Sequence, residues 1–262
     1  MNQTSFICST CGMEYAPSAE PPRSCPVCED ERQYVNPGGQ SWTTPERLSK
    51  THKNIFDKIA KNIYAVYTSP GFAIGQRAHL LITPNGNILW DCIVLLDATT
   101  IDIINRLGGI QKIAISHPHY YTTMATWSNT FKAPVYLHKR DAQWIARKDF
   151  DLRLWEGATT ELLPGVTLIN CAGHFEGGAV LHYGQLLLTG DIIQVAPDRK
   201  TVGFMYSYPN YIPLNKKSIL HIKDSLNGFR FDAMYGAFGR YIEQKARQSF
   251  DYSIDRYLKI FE

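Results

Sequence analysis

The sequence predicts an α/β fold in which helices cover two mixed β-sheets, preceded by a small module that a metal ion holds together. Three observations support this prediction. Segments rich in β-forming residues occur in hairpins as well as between helices, which favours mixed sheets over a purely parallel one. Four of the six cysteines form two close pairs near the N-terminus. The 262 residues, 44% of them hydrophobic, suffice for one large domain with a small appendage.

The first module, predicted over residues 1–40, contains the motifs Cys8-x-x-Cys11 and Cys25-x-x-Cys28. A two-residue spacer lets a tight turn aim both sulfurs at one ion, so two such turns can complete a tetrahedral four-thiolate site. A segment this short buries too little apolar surface to fold alone, and metal binding can make up that deficit. The sequence therefore predicts a zinc ribbon.

Iron is the alternative to zinc in this module. The segment CSTCGMEY resembles a rubredoxin knuckle, in which iron carries electrons. Its counterpart CPVCEDER has Glu29 where the rubredoxin knuckle normally has glycine, so a structural Zn²⁺ is favoured. The ribbon either caps the main domain, binds a protein partner or mediates self-association.

Residues 41–262 are predicted to form the main domain. Thr44 caps a helix whose apolar residues continue at helical spacing from Leu48 to Ile59. Strands follow in IYAVYT, AHLLIT and NILWDC, and the Asn85–Gly86 pair between the last two is a strong hairpin signal. The segment TTIDIINRLGG predicts a helix that ends in glycine and leads into the strand IQKIAIS.

The second half of the main domain continues with a short helix, the strand PVYLH and a helix around DAQWIA. A hairpin through ELLPGVTLINC and the strand pair GGAVLHY and QLLLTGD come next. A Tyr- and Pro-rich loop then precedes two helices, residues 218–226 and 243–260, with the strand FDAMYG between them. The alternation of strands and helices supports the predicted α/β class.

Three strand ends carry residues that suit a metal site. His117 and His119 follow KIAIS, where positions i and i+2 of an extended chain point to the same side. His174 lies in the glycine-rich segment CAGHFEGG, and Asp191 ends the strand LLLTGD. Strand ends that open on one edge commonly carry sites in α/β proteins. Three imidazole nitrogens and one carboxylate suit Zn²⁺, Fe²⁺ or Mn²⁺.

These motifs resemble those of the metallo-β-lactamase superfamily over about residues 60–240. The segments AHLLITPNGNILWDC, ISHPHYYTT, GHFEGG and LLLTGD match its motifs in order, spacing and strand context. The resemblance implies a four-layer αβ/βα sandwich with a metal site between the two sheets at one edge. It also implies hydrolysis by metal-activated water, the most common activity in that superfamily.

The chain departs from the superfamily pattern at the second metal position. Tyr121 and Thr122 stand where the motif has aspartate and histidine, and Ala237 or Phe238 stands where a late histidine belongs. The ligands that remain belong to the first position and include the usual bridging carboxylate: His117, His119, His174 and Asp191. We therefore expect one Zn²⁺, Fe²⁺ or Mn²⁺ ion in the main domain.

Three functions follow as hypotheses. The first is a mononuclear hydrolase of a small ester, thioester, lactone or amide that uses metal-bound hydroxide, with Glu176 and Tyr121 as candidates for proton transfer. The second is a mononuclear iron oxygenase of the persulfide-dioxygenase kind, with His117, His174 and Asp191 as its ligand set. The third is a non-catalytic binding protein with a degenerate site. The surviving ligands favour the hydrolase.

Composition limits the partners and the location. A net charge of +3 gives no reason to expect nucleic acid. No window approaches 18 uninterrupted apolar residues, and the N-terminus lacks the basic flank and apolar core of a signal peptide. Six cysteines are too sparse for a disulfide scaffold. We expect a cytoplasmic protein that acts on a small molecule, without a membrane or nucleic-acid partner.

Overall fold

The computed structural model describes residues 3–262 and begins with the ribbon. Strand β1 (Ile7–Cys8) pairs antiparallel with β2 (Trp42–Thr43), and the one-turn helix α1 (Pro26–Glu29) lies between them in the chain. A second one-turn helix, α2 (Pro45–Leu48), follows, and the Thr44 side chain accepts a hydrogen bond from its backbone. The ribbon is therefore tied to the start of the main domain by strand pairing.

The helix predicted from Thr44 to Ile59 is wrong beyond Leu48. Residues 53–60 instead form strand β3 (Lys53–Ala60), which pairs along its length with β4 (Ile63–Ser69). Phe56 and Ile59 pack against different apolar clusters, as residues on opposite faces of a strand do. Their spacing also fits a helix, so only the pairing with β4 decides between the two.

The first sheet has seven strands in chain order, β3 to β9. The remaining strands and the two helices that connect them are β5 (Ala78–Leu81), β6 (Ile88–Trp90), α3 (Ala98–Arg106), β7 (Lys112–Ala114), α4 (Met124–Phe131), β8 (Val135–His138) and β9 (Leu152–Trp155). Strands β3 to β6 are antiparallel, and β6 to β9 are parallel. The segment around DAQWIA is a 3₁₀ helix, Lys139–Trp144.

The second sheet has six strands in the order β10-β11-β12-β13-β18-β19. The elements of this half are β10 (Thr159–Leu163), β11 (Val166–Asn170), β12 (Ala179–Tyr183), β13 (Leu186–Gly190), β14 (Gln194–Val195), β15 (Val202–Gly203), β16 (Met205–Ser207), β17 (Ile212–Pro213), α5 (Lys216–Ser225), β18 (Ala233–Gly236), β19 (Tyr241–Ile242) and α6 (Ala246–Leu258). A 3₁₀ turn, Lys259–Phe261, follows α6. Both helices predicted for this half are therefore present.

Three apolar layers hold the sheets and helices together. Trp90, Leu181 and Leu188 belong to the layer between the two sheets. One outer layer lies between the first sheet and helices α3 and α4. The other lies between the second sheet and helices α5 and α6, where Phe250 is fully buried. The order is helix, sheet, sheet, helix, which confirms the predicted four-layer αβ/βα sandwich. Across residues 3–262, no helix is both long and apolar enough to cross a membrane.

The ribbon packs tightly on the main domain. Gly12 has a φ of +83°, and a Cβ atom placed there would lie 2.5 Å from Val94 Cγ2. The Glu14 backbone N–H donates to the Thr122 carbonyl at 3.1 Å, and the buried Glu14 carboxylate lies 2.9 Å from Arg147 Nη1. Burial raises the pKa of Glu14, an effect that the Arg147 charge opposes. The division at residue 40 stays a prediction.

Replacement of Gly12 by alanine tests this close approach. Gly39 is the control because its φ of +90° imposes the same left-handed strain while nothing lies within 4 Å of an added Cβ. We expect Gly39→Ala to cost about 1 kcal/mol of unfolding free energy and Gly12→Ala about 3 kcal/mol. Urea denaturation of the zinc-loaded protein measures both values. Equal losses would show that the ribbon is not packed against Val94.

Candidate metal centre

The four cysteines of the ribbon lie together and are buried. The Sγ atoms of Cys8 and Cys28 are 3.6 Å apart, and those of Cys11 and Cys25 are 3.5 Å apart. A disulfide requires about 2.05 Å, whereas a tetrahedron with metal–sulfur bonds of about 2.3 Å has edges of roughly 3.8 Å. The Tyr15 hydroxyl donates to Cys25 Sγ at 3.1 Å, as suits a negatively charged sulfur. This cluster fits a four-thiolate metal site.

A second cluster lies in the main domain, where His117, His119 and His174 each bring a ring nitrogen to within 4.8 Å of the others. His117 has an extended backbone, and the 3₁₀ turn Pro118–Tyr120 that follows it carries His119. This turn replaces the extended chain on which the i, i+2 argument relied. Asp191 Oδ1 lies 3.2 Å from His117 Nε2 and 3.6 Å from His174 Nε2.

The atoms that face one another in this cluster are buried without hydrogen-bond partners among residues 3–262. They are His117 Nε2, His119 Nε2, His174 Nε2 and Asp191 Oδ1, and His174 Nδ1 on the other side of its ring also has no partner. The close approach of Asp191 to His117 lacks the alignment of a hydrogen bond. A buried polar atom without a partner costs about 1–3 kcal/mol, and such atoms are rare in proteins. An ion that these atoms coordinate removes that cost, so the cluster fits a metal.

The protonation states also suit a metal ion. Burial lowers the pKa of all three histidines, and with the nearby Arg32 charge it brings that of His119 to about 3. The histidines are therefore neutral at physiological pH, and the neutral imidazole is the form that binds metals. Burial raises the pKa of Asp191 to about 7, although the Tyr120 hydroxyl partly offsets that rise. A cation bound beside Asp191 would favour its ionised form, so that three neutral nitrogens and one carboxylate match one divalent ion.

A chain of hydrogen bonds behind His117 orients its ring. Ser116 Oγ lies 2.9 Å from His117 Nδ1, and the Ser116 backbone N–H donates to Asp91 Oδ1 at 2.7 Å. The first contact occupies Nδ1 and leaves Nε2 for a metal. Burial raises the pKa of Asp91 to about 7. Gly190 has a φ of +55°, and a Cβ there would lie 2.6 Å from Ser116 Oγ, so a side chain at this position would displace Ser116.

Two side chains of the main domain, Asp141 and Asn170, hold the loop that carries His174. The Gly177 backbone N–H donates to Asp141 Oδ1 at 3.0 Å, and Asn170 Nδ2 donates to the Gly178 carbonyl at 3.2 Å. Asp141 is buried, which raises its pKa to about 6. These bonds fix the turn that presents the imidazole.

The ribbon holds the same loop through Arg32. One Arg32 nitrogen, Nη1, donates to the His174 carbonyl at 2.7 Å, and the guanidinium lies 4.0 Å from the centre of the Phe175 ring. Asp30 accepts from Nε at 2.6 Å and from Nη2 at 2.8 Å, so each of the three guanidinium nitrogens of Arg32 has a partner. The four-cysteine module therefore contacts the loop of a proposed ligand in the main domain.

A cavity of about 260 Å³ reaches His119, His174 and Asp191. The ribbon contributes Thr10, Gln33 and Tyr34 to its wall, and the main domain contributes Ala73, Ile74, Tyr206, Tyr208, Pro209 and Phe238. The Tyr208 hydroxyl donates to the Asp191 carbonyl at 3.0 Å, which links the wall to a ligand. A small molecule in this cavity would meet the metal cluster.

The predicted proton-transfer residues lie elsewhere in the described chain. Glu176 is exposed, Tyr121 is 1% exposed within the apolar core, and neither lines the cavity. Their catalytic role stays a prediction. Of Ala237 and Phe238, the two candidates for the position of the superfamily's late histidine, Phe238 lines the cavity. In residues 3–262, the groups of three or more candidate ligands are the four cysteines and the three histidines, with Asp191 outside the second group. The single ion expected in the main domain stays a prediction.

Sequence reasoning missed Arg32, Gln33 and Asp141. Arg32 and His174 are 142 residues apart in the chain, and no local pattern in the segment EDER indicates a contact at that distance. Asp141 lies on a 3₁₀ helix, where its charge is typical of a solvated turn, yet it is 2% exposed. Only the folded chain brings these side chains to the site.

Comparisons with known proteins agree with this fold. YmaE, an uncharacterised protein of Bacillus subtilis (strain 168), is 46% identical over 97% of this chain and 96% of its own length. The metallo-β-lactamase DIM-1 is 12% identical with a TM-score of 0.60, over 78% of this chain and 96% of its own, and VMB-1 is 13% identical with a TM-score of 0.61, over 80% and 99%. The chemotaxis sensor ODP, with a peroxy diiron species, is 14% identical with a TM-score of 0.55, over 78% and 94%. No protein-family model matches the chain.

Replacement of Arg32 by glutamine tests whether the ribbon supports the histidine cluster. The loss of the guanidinium frees the His174 loop on one side, so we expect the main-domain site to bind Zn²⁺ about tenfold more weakly while the four-cysteine ion stays bound. Chelator competition measures the affinity, and Co²⁺ spectra separate thiolate from imidazole coordination. Arg23→Gln, an exposed arginine of the same ribbon, is the control. Unchanged affinity in Arg32→Gln would contradict the coupling.

Proposed function

From its membership of the family of YmaE of Bacillus subtilis and its metallo-β-lactamase fold, we propose that the chain is a metal-dependent hydrolase. The proposed enzyme holds one metal ion in the main domain and acts on a small ester, thioester, lactone or amide. One observation carries the proposal. Three buried, neutral imidazoles and one carboxylate converge without protein partners, and three of these four side chains also line a cavity of about 260 Å³. A site of that size suits a small molecule.

His117, His119, His174 and Asp191 would hold the ion. A divalent metal bound there supplies a Lewis acid for a substrate carbonyl and lowers the pKa of a coordinated water towards about 7. The chain contributes the placement: Ser116 orients the His117 ring, and Arg32 fixes the loop of His174. The metal in the ribbon is proposed to be Zn²⁺ with a structural role.

The side chains around the cavity restrict water and orient the substrate. Phe238 and Ile74 present apolar surface next to His119 and His174, which lowers the local dielectric and strengthens polar interactions. A single ion cannot hold the attacking and leaving oxygens from both sides, so phosphodiester cleavage of the two-metal kind is disfavoured. A single Lewis acid that polarises a carbonyl group suits acyl substrates instead.

An iron oxygenase is the second candidate, and one contact favours it. Asp191 Oδ1 lies within 3.6 Å of both His117 Nε2 and His174 Nε2, which forms a set of two histidines and one carboxylate. ODP, with its peroxy diiron species, shares the fold. In this alternative His119 is not a ligand, and that difference separates the two functions experimentally.

Hydrolysis is tested with zinc-loaded protein and a panel of aryl esters, thioesters, lactones and anilides. We expect turnover that falls at least about 100-fold in His117→Ala, since loss of a ligand removes the metal that activates the reaction. His221→Ala, an exposed histidine on α5, is the control and should retain activity. Full metal occupancy with no turnover anywhere in the panel would reject the hydrolase and favour the non-catalytic alternative.

His119→Ala discriminates between zinc hydrolase and iron oxygenase. If three histidines and Asp191 bind the metal, this variant loses most of its main-domain ion. If only His117, His174 and Asp191 bind it, the ion is retained. Elemental analysis after expression in iron-supplemented medium measures both occupancy and identity. We expect loss of the ion in the variant and zinc in the unmodified protein, whereas retained iron would favour the oxygenase.

A further inference from the structure

The ribbon places a carboxamide in the wall of the cavity. Gln33 is 6% exposed and lines the cavity together with His119 and His174. Its backbone N–H donates to the Asp30 carbonyl at 2.9 Å, and its carbonyl accepts from Asn210 Nδ2 at 3.1 Å. Within the described chain its side-chain amide makes no hydrogen bond. Because Gln33 lines the cavity and its amide has no partner in the described chain, the amide is free to bind a polar group of a molecule that enters there.

The position of Gln33 is set by contacts on both sides of it. The Arg32 carbonyl accepts from Ser207 Oγ at 3.0 Å, and Asn210 Nδ2 also donates to the Glu31 carbonyl at 3.0 Å. The segment 31–33 is thus bonded to residues 207–210 of the main domain. Because the backbone is held before a ligand arrives, binding to the amide needs little further ordering.

The cavity contains no side chain that would pair with an anion. Of its described lining residues none is lysine, arginine or glutamate, and the carboxylate of Asp191 faces the metal cluster. The guanidinium of Arg32, which precedes Gln33 in the chain, is engaged by Asp30 and the His174 carbonyl. An anionic substituent away from the metal would lie in a largely apolar cavity without a counter-ion, which is unfavourable.

We propose that the ribbon supplies the substrate-recognition wall of the enzyme, and that Gln33 binds an amide or carbonyl group of an uncharged acyl substrate. The remaining lining, including Ile74, Pro209 and Phe238, contacts the apolar body of that substrate. This inference rests on the proposed hydrolase. In this inference Gln33 selects the substrate, and the residues of the metal cluster carry out the reaction.

Three 4-nitrophenyl esters of equal acyl chain length test the inference: the N-acetylglycinate, the pentanoate and the hydrogen glutarate. The first carries an amide, the second is apolar, and the third is anionic. We expect kcat/KM to be highest for the N-acetylglycinate and about tenfold lower for the hydrogen glutarate. In Gln33→Met, which keeps the chain length but removes the amide, the ratio of N-acetylglycinate to pentanoate should fall about fivefold through KM.

Two further variants sharpen the result. Gln33→Lys places a cation in the wall and should shift preference towards the hydrogen glutarate. Gln111→Met is the control, because Gln111 is exposed and does not line this cavity. Metal content is measured in every variant, since a structural defect would change it. Equal effects of Gln33→Met on both neutral esters, no effect, or preference for the hydrogen glutarate in the unmodified protein would overturn the inference.

Failure of the hydrolase proposal is distinguishable from failure of this one. If no ester is cleaved, calorimetry measures binding of the anilides of N-acetylglycine and pentanoic acid to the zinc-loaded protein. About fivefold weaker binding of the N-acetylglycine anilide alone in Gln33→Met would support recognition by Gln33. If Gln33→Met changed the binding of both anilides equally, or of neither, recognition by Gln33 would be overturned.

Discussion

The convergence of His117, His119 and His174, with Asp191 beside two of them, is the arrangement on which the rest of this structure depends. Their facing atoms are buried and have no partner in the described chain, so without an ion the centre of the molecule carries an uncompensated cost. The surroundings maintain these side chains in place. Ser116 orients one ring, Asp141 and Arg32 hold the loop of another, and burial keeps the imidazoles neutral.

The ribbon is part of this arrangement as well as an appendage to the fold. Its cysteines pack in the same apolar layer as the outer face of the first sheet, and Gly12 approaches Val94 too closely for a side chain. Arg32 reaches the His174 loop, and Gln33 reaches the cavity. An ion bound by the four cysteines would therefore order one wall of the site as well as the ribbon.

The layers of the fold and the two ligand clusters were predictable from the sequence, because paired cysteines and histidines at strand ends leave local signals. The segment 53–60 was not, since Phe56 and Ile59 have a spacing that fits a helix and only pairing with β4 selects the strand. The hydrogen bond from Arg32 to the His174 carbonyl could not be predicted either, because the two residues are 142 positions apart in the chain. Long-range contacts of this kind have no counterpart in local periodicity or composition.

Anomalous scattering from crystals of the full chain, recorded at the zinc and iron edges, tests the central claim most directly. The arrangement of ligands predicts one metal peak among the four cysteines and a single second peak bonded to His117, His119, His174 and Asp191. Zinc at the second peak agrees with the proposed hydrolase. Absence of a peak among the histidines of a metal-replete crystal, or two peaks there, would contradict a single-ion site.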